Sequence, residues 1–312
     1  MSQLRIALLG TGPWAERTHA PAIAAHPDVE FSGVWGRRPE AAAALAAAHD
    51  TKAYAGGGDG DGGSGAGGLD GLDALLAASD AVAFALPPDV QAPLAARAAA
   101  AGCHLLMDKP VATTVPGARA VADAAERAGV ASLVFCTLRF ASETAEWIQE
   151  QAAVGGWFTA RAHWLGALYA PGTASPYADS PWRREKGGLW DVGPHALSAL
   201  LPVLGDVTAV TAVRTEPDLT HLVLTHTSGV SSSAMLSLSA PVKGAGTGFE
   251  LRGEHGTVEL PQGWGDPADI FGTAISALLT AARTGEPHAC DVRFGLRLTE
   301  ILAEAEEQLT GP

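Results

Sequence analysis

Apolar residues follow two rhythms along this chain. In the first part, short apolar runs at residues 4–9, 29–35, 52–54, 81–86, 104–107 and 132–137 read as strands. They alternate with segments 14–25, 39–49, 69–78, 90–101 and 116–128, which read as helices. Such alternation predicts a parallel sheet wound on both faces, because each crossover helix covers one face. After a helix at 142–151 the rhythm changes. Residues 157–165, 208–214, 220–227, 230–238, 247–252 and 256–260 read as strands, many alternating polar and apolar residues, as in HLVLTHT and VSSSAMLSLS. That pattern predicts a large, open, mostly antiparallel sheet with one covered face. Helices at 191–204, 269–284 and 293–308 are its expected cover. The chain is therefore read as α/β, in two domains, 1–138 and 139–312, with the C-terminal helix a candidate to pack back on the first.

The first strand runs into Gly10-Thr11-Gly12-Pro13-Trp14-Ala15, a G-x-G-x-x-A sequence between a strand and a helix. In a dinucleotide-binding Rossmann domain, the first glycine allows the tight turn and the second lets backbone approach a pyrophosphate. The alanine keeps the helix close to the sheet, and the helix amides face the phosphates. The alternative is a glycine turn in some other α/β domain. At the end of the second strand, where a carboxylate would recognise a ribose 2′-hydroxyl, stand Gly36, Arg37 and Arg38. Arginine suits a phosphate, so this favours NADP(H), with NAD(H) possible. Otherwise these arginines decorate an exposed loop. The run at 55–68 (AGGGDGDGGSGAGG) cannot bury apolar surface; it is expected to be a mobile surface loop and is assigned no chemistry.

Composition narrows the partners. A formal net charge of −14 argues against nucleic acid and anionic membrane, since phosphate binding needs a basic face. No apolar run is long enough to span a bilayer, and the run ending at Gly10 is too short for a signal peptide. Cys103, Cys136 and Cys290 lie far apart, so neither a metal site nor a disulfide framework is indicated. Reduced thiols and a cytoplasmic location are expected.

The stretch KGGLWDVGPH, Lys186 to His195, is the strongest candidate for chemistry in the second part. Asp191 precedes His195 by four residues, so on a helix the two share one face. A carboxylate beside an imidazole fixes its tautomer and raises its basicity, as general acid–base work requires. Alternatively, they are a solvated acid and a satisfied core histidine.

Taken in order, these motifs resemble the Gfo/Idh/MocA family of oxidoreductases over nearly the whole chain. GTGPWA resembles its fingerprint, and VAFALPP, ending in Leu86-Pro87-Pro88, its strand end. Met107-Asp108-Lys109-Pro110 resembles its E-K-P, Arg139-Phe140 its R-F, Trp182-Arg183 its W-R, and GGLWDVGPH its G-G-x-x-x-D-x-G-x-H. The resemblance implies that Lys109, Asp191 and His195 surround the substrate carbon beside the nicotinamide. His195 would be the acid/base, Asp191 its holder and Lys109 an electrostatic polariser. It further implies cofactor contacts from Leu86, Pro87, Asp108 and Lys109, a cis Pro110, and a homodimer or homotetramer packed through the second sheet. Arg139, His163, Tyr169, Tyr177, Trp182 and Arg183 are candidate contacts to a sugar-like or cyclitol substrate. The sequence departs from the family pattern at Asp108 (Glu), Leu86 (Thr), Gln91 (His) and Ser198 (Asp). Two functions follow: hydride transfer between nicotinamide and a carbinol or carbonyl carbon, or binding of dinucleotide without turnover, as a sensor.

Overall fold

The computed structural model describes residues 3–55 and 70–310. Apart from Ala55, the glycine-rich stretch expected to be a surface loop lies outside the described residues. The chain divides into two compact units. The first comprises Met1–Ala112, Pro116–Phe135 and Asp266–Leu296; the second comprises Thr113–Val115, Cys136–Gly265 and Arg297–Pro312.

The chain begins with β1 (Leu4–Leu9), a π-helical turn at Ala15–His19, α1 (Ala20–Ala25), β2 (Val29–Gly36), α2 (Pro39–Ala48) and β3 (Ala53–Ala55). Then come α3 (Asp70–Ala77), β4 (Ala81–Phe84), α4 (Pro88–Ala100), β5 (His104–Asp108), α5 (Val115–Ala128) and β6 (Ser132–Phe135). The strands form one sheet in the order β3-β2-β1-β4-β5-β6, and every pair is parallel. This is the doubly wound order, whose winding reverses between β1 and β4 and so opens a crevice beyond their carboxyl ends. Ile6, Leu8, Val82, Phe84, Leu105 and Leu106 are fully buried, as the continuous apolar runs require.

The helix after β1 does not start as a regular α-helix. Pro21 has no N–H to offer the carbonyl four residues back, and its ring crowds that carbonyl. The preceding turn is widened, with the Ala20 N–H donating to the Ala15 carbonyl five residues back.

The second unit contains α6 (Ser142–Val154), β7 (Trp157–Leu165), α7 (Pro181–Leu204), β8 (Val207–Thr215), β9 (Leu219–His226), β10 (Ser231–Ser237), β11 (Gly246–Gly253) and β12 (Gly256–Glu259). The strand order is β12-β11-β7-β10-β9-β8. β7 and β10 run parallel; the other pairings are antiparallel. One face, with Ala160, Ala162, Leu222, Leu224, Ala234 and Leu236, is buried under α7, which crosses β7, β9 and β10. The opposite face presents Thr211, His221 and Arg161 with the exposed Val213 and Val223.

α7 is broken at Gly187, whose φ of 63° places it in the left-handed region that favours glycine. The break lets the next residue press against a strand: a Cβ on Gly188 would lie 2.6 Å from the Ser237 Cα. Asp218 closes the break, accepting from the Gly188 N–H at 3.1 Å and the Leu238 N–H at 2.8 Å. Glu306 spans it, accepting from Lys186 Nζ at 3.1 Å and Trp190 Nε1 at 2.9 Å.

The chain closes with α8 (Pro267–Thr284) and α9 (Val292–Thr310). Expected among the cover of the second sheet, α8 instead belongs to the first unit, where it packs on β5, β6 and α1. Its apolar face, with Phe271, Ile275 and Leu278 fully buried, fits either sheet by periodicity; Phe271 decides the matter by meeting Phe135 edge-on at 4.9 Å. The C-terminal part of the chain, read as one sequential domain from 139, therefore returns residues 266–296 to the first unit. Among the described residues, no helix is long and apolar enough to cross a membrane.

Candidate active site

In the first unit, the loops after β1, β2 and β4 enclose a cavity of about 340 Å³. Gly10, Thr11 and Gly12 line it from the first loop, Gly36, Arg37 and Arg38 from the second, and Ala85, Leu86 and Pro87 from the third. Gly10, at φ 130°, lies against the Ala85 backbone with no room for a Cβ. A Cβ on Gly36 would come within 2.7 Å of the Thr11 methyl, whereas one on Gly12 would project into open space. The wall is thus closed where the loops meet and open where a pyrophosphate would approach backbone. The residues present fit a dinucleotide: small at the close approach, with two guanidiniums at the end of β2. Pro13 and Trp14 stand outside this lining and open the helix instead. Sequence reading overlooked Ala85, because its part is a backbone contact that any residue could make.

Behind the loop, His19 is fully buried, its Nδ1 3.4 Å from the Trp14 carbonyl and its ring 4.0 Å from that of Phe271. Burial pushes its pKa down to about 3, so the ring is neutral.

Asp108 ends β5 and Lys109 follows it in the same unit, and neither lines that cavity. The Asp108 carboxylate accepts from the Lys109 N–H at 2.8 Å, and the Lys109–Pro110 bond is cis, as the resemblance implied. The buried Gln91 side chain holds this loop. Its Nε2 donates to the carbonyls of Asp108 at 2.9 Å and Pro110 at 3.1 Å, while its Oε1 accepts from the Asp108 N–H at 3.1 Å. Gln91 figured in the sequence only as a departure from histidine; a glutamine's partners cannot be read without the fold.

In the second unit, Asp191 and His195 lie on consecutive turns of α7, and both are buried. Asp191 Oδ2 accepts from Arg183 Nε at 3.0 Å. The His195 ring stacks on Trp164, with centroids 4.3 Å apart and planes at 15°. Trp164 in turn meets Trp264 at 5.3 Å. A carboxylate paired with a guanidinium and an imidazole stacked on an indole thus sit one helical turn apart. Ser198, where the family pattern has Asp, donates its hydroxyl to the His195 carbonyl at 2.8 Å and so serves the helix. Arg139 donates to the Ser198 carbonyl at 3.3 Å.

His163 does not join this group. It neighbours Trp164 on β7, so it points to the opposite face of the sheet, against Gly248. Trp182 and Tyr177 have their rings against the Arg183 guanidinium, at 4.7 and 5.3 Å, so at least one face of Trp182 is taken. Tyr169 and Arg183 line a separate cavity of the same unit. Lys109 belongs to the first unit, Asp191 and His195 to the second. No cluster of three or more metal-ligating side chains occurs among the described residues.

Residues 4–135 match the oxidoreductase family, NAD-binding Rossmann fold, and residues 144–259 match the Gfo/Idh/MocA C-terminal domain. The chain belongs to the Gfo/Idh/MocA family. It is similar to D-glucoside 3-dehydrogenase of Escherichia coli (strain K12), 29% identical over 65% of this chain and 55% of that protein. It is also similar to dTDP-3,4-didehydro-2,6-dideoxy-alpha-D-glucose 3-reductase of Streptomyces antibioticus, 30% identical over 68% of this chain and 60% of that one. The chain thus spans somewhat over half the length of these curated relatives. Among solved structures, GenD2 from gentamicin A biosynthesis in complex with NAD shares the fold at a TM-score of 0.81, with 20% identity over 99% of this chain and 94% of that one. Levoglucosan dehydrogenase in complex with NADH and levoglucosan does so at 0.78, with 19% identity over 98% of this chain and 97% of that one.

Proposed function

We propose that this chain is an NAD(P)-dependent oxidoreductase acting at a carbinol or carbonyl carbon of a sugar, cyclitol or similar polyhydroxylated molecule. The observation that carries the reading is the cavity beyond the carboxyl ends of β1, β2 and β4, walled by Gly10, Gly12 and Arg37. When bound, the nicotinamide supplies or accepts the hydride. Arg37 and Arg38 face where a ribose 2′-phosphate would lie, which favours NADP(H) over NAD(H). His195 moves the proton of the substrate oxygen, and Asp191 holds it in place, itself fixed by Arg183. Lys109, on the loop that Gln91 clamps, polarises that oxygen. Arg139, Tyr169, Trp182 and Arg183 serve the substrate; His163, on the far face, has no part in it.

The sugar dehydrogenases and reductases among the relatives support the substrate class. The exposed Val213 and Val223 on the open sheet face support association into a homodimer or homotetramer there. Three buried, unbridged cysteines suit a reducing cytoplasm.

The test is a fluorescence titration with NADPH and NADH, followed by a sugar and cyclitol panel monitored through nicotinamide absorbance. Tighter NADPH binding and turnover of at least one compound are expected. Lys109→Ala and His195→Ala should bind dinucleotide as the parent does and turn over at least ~10²-fold more slowly. Dinucleotide binding with no turnover of any compound would favour the sensor reading; undiminished turnover in both variants would remove their assigned roles.

A further inference from the structure

The broken start of α7, the turn between β8 and β9 and the end of β10 enclose a second cavity, of about 260 Å³, wholly within the second unit. Arg183, Arg184 and Arg214 line it, together with Tyr169, Glu185 and Asp218. Three guanidiniums around one cavity stand out in a chain of net charge −14.

Their commitments differ. Arg183 is bound to Asp191. Arg184 has its nearest carboxylate, the fully exposed Asp179, at 3.9 Å, a pairing of little worth in water. Arg214 donates through Nε to the Thr220 hydroxyl at 3.1 Å and takes part in no ion pair among the described residues. Of the two carboxylates on the wall, Asp218 is occupied by the backbone N–H groups of Gly188 and Leu238. Glu185 is exposed. Tyr169 lies with its ring 5.1 Å from the Arg184 guanidinium, and its hydroxyl is screened from water without a hydrogen-bond partner among the described residues. Buried polar groups in native proteins are nearly always satisfied, and this hydroxyl, on a residue of the cavity lining, is one that is not.

We propose that this cavity is an anion subsite that holds an oxyanion substituent of the substrate, a phosphate or a carboxylate. Arg184 and Arg214 offer it planar forks, the geometry that matches both groups. Burial pushes the Tyr169 phenol up from its ordinary value, so it stays a neutral hydroxyl able to donate. The cavity is smaller than the roughly 300–1,000 Å³ that encloses a whole small ligand, which suits one substituent rather than the sugar itself. Arg183 belongs both to its wall and to the Asp191 pair, so the substituent is anchored one side chain away from the acid–base helix. This inference rests on the proposed function for its word "substrate": the sugar so held would be a sugar phosphate, a nucleotide-diphosphate sugar or a sugar acid, not a neutral sugar.

Titration calorimetry of the full chain with inorganic phosphate tests the subsite without any turnover. Saturable binding is expected, at least ~10-fold weaker in the Arg184→Gln/Arg214→Gln double variant and weakened to a smaller degree in Tyr169→Phe. Both arginines are solvent-exposed, so the double variant should keep the parent's melting temperature and NADPH affinity. Displacement of phosphate by glucose 6-phosphate, UDP-glucose or glucuronate, and not by glucose, would identify which anionic class the cavity takes. Absence of phosphate binding, equal binding by parent and double variant, or displacement by glucose as effective as by the anionic sugars would overturn the proposal. Phosphate binding in a protein that oxidises or reduces no sugar would leave the subsite standing and sink the oxidoreductase reading, so the two failures are distinguishable.

Discussion

In the first unit Gly10 and Gly12 bracket Thr11 after β1; in the second, Gly187 and Gly188 break α7. Both pairs are easy to see in the sequence, and they do different physical work. Gly10 allows one loop to lie on another, and Gly12 keeps open space beside the backbone. Gly187 and Gly188 leave no space at all: the added Cβ atoms would strike the Asp218 carboxylate and the Ser237 backbone. In the first pair Gly12 leaves room for a ligand. The other removes room so that a helix and a strand can touch, which fixes the direction of the turn bearing Asp191.

That contrast can be broken by substitution. Gly188→Ala must push backbone away from backbone, so about 2–3 kcal/mol of stability should be lost, read as a lower urea midpoint. A loss below ~0.5 kcal/mol would mean the contact yields freely and the contrast fails. Gly12→Ala should leave the urea midpoint unchanged and weaken NADPH binding ~10-fold, because the methyl occupies ligand space alone. Equal affinity in parent and variant would show that the open space is not used.

Acid sharpens the comparison through one histidine of each unit. His226, in the second, has both ring nitrogens bonded at 2.8 Å, to the Gly205 carbonyl and the Ser232 hydroxyl. His19, in the first, has its Nδ1 3.4 Å from the Trp14 carbonyl and its ring packed on Phe271. Its folded pKa of about 3 lies below the ordinary 6.5, so the unfolded chain binds the proton more readily. Its contribution is complete above pH 6.5 and is lost as pH falls towards 3. Between pH 7.5 and 5.5 this single group should cost roughly 1.4 kcal/mol. His19→Phe should flatten that part of the urea-midpoint profile; an unchanged slope would place the proton elsewhere.

What the sequence disclosed, and what it withheld, follows the same physics. The G-x-G-x-x-A loop and the four-residue spacing of Asp191 and His195 were legible from residue types at fixed spacing, whereas Asp108-Lys109-Pro110 stood out only through the family resemblance. The strands of both sheets were legible within a residue or two through their period. Even His163 carried its own warning: alternation along β7 puts it opposite Trp164, so any residue grouped with one excludes the other. The partners of Gln91, the stack of Trp164 on His195 and the Asp191–Arg183 pair were hidden, since each depends on elements brought together only by folding. Likewise, the periodicity of α8 announced a buried face without saying which sheet would bury it.

That last assignment sets a timetable. The parallel sheet is synthesised by residue 135, yet the helix carrying Phe271, which covers β5 and β6 and stacks on His19, ends at Thr284. At ordinary ribosomal speeds the nascent sheet waits on the order of ten seconds for its roof. The lobe that starts first is completed late, and a gene cut after the sixth strand would encode a half-covered sheet rather than a free-standing nucleotide binder.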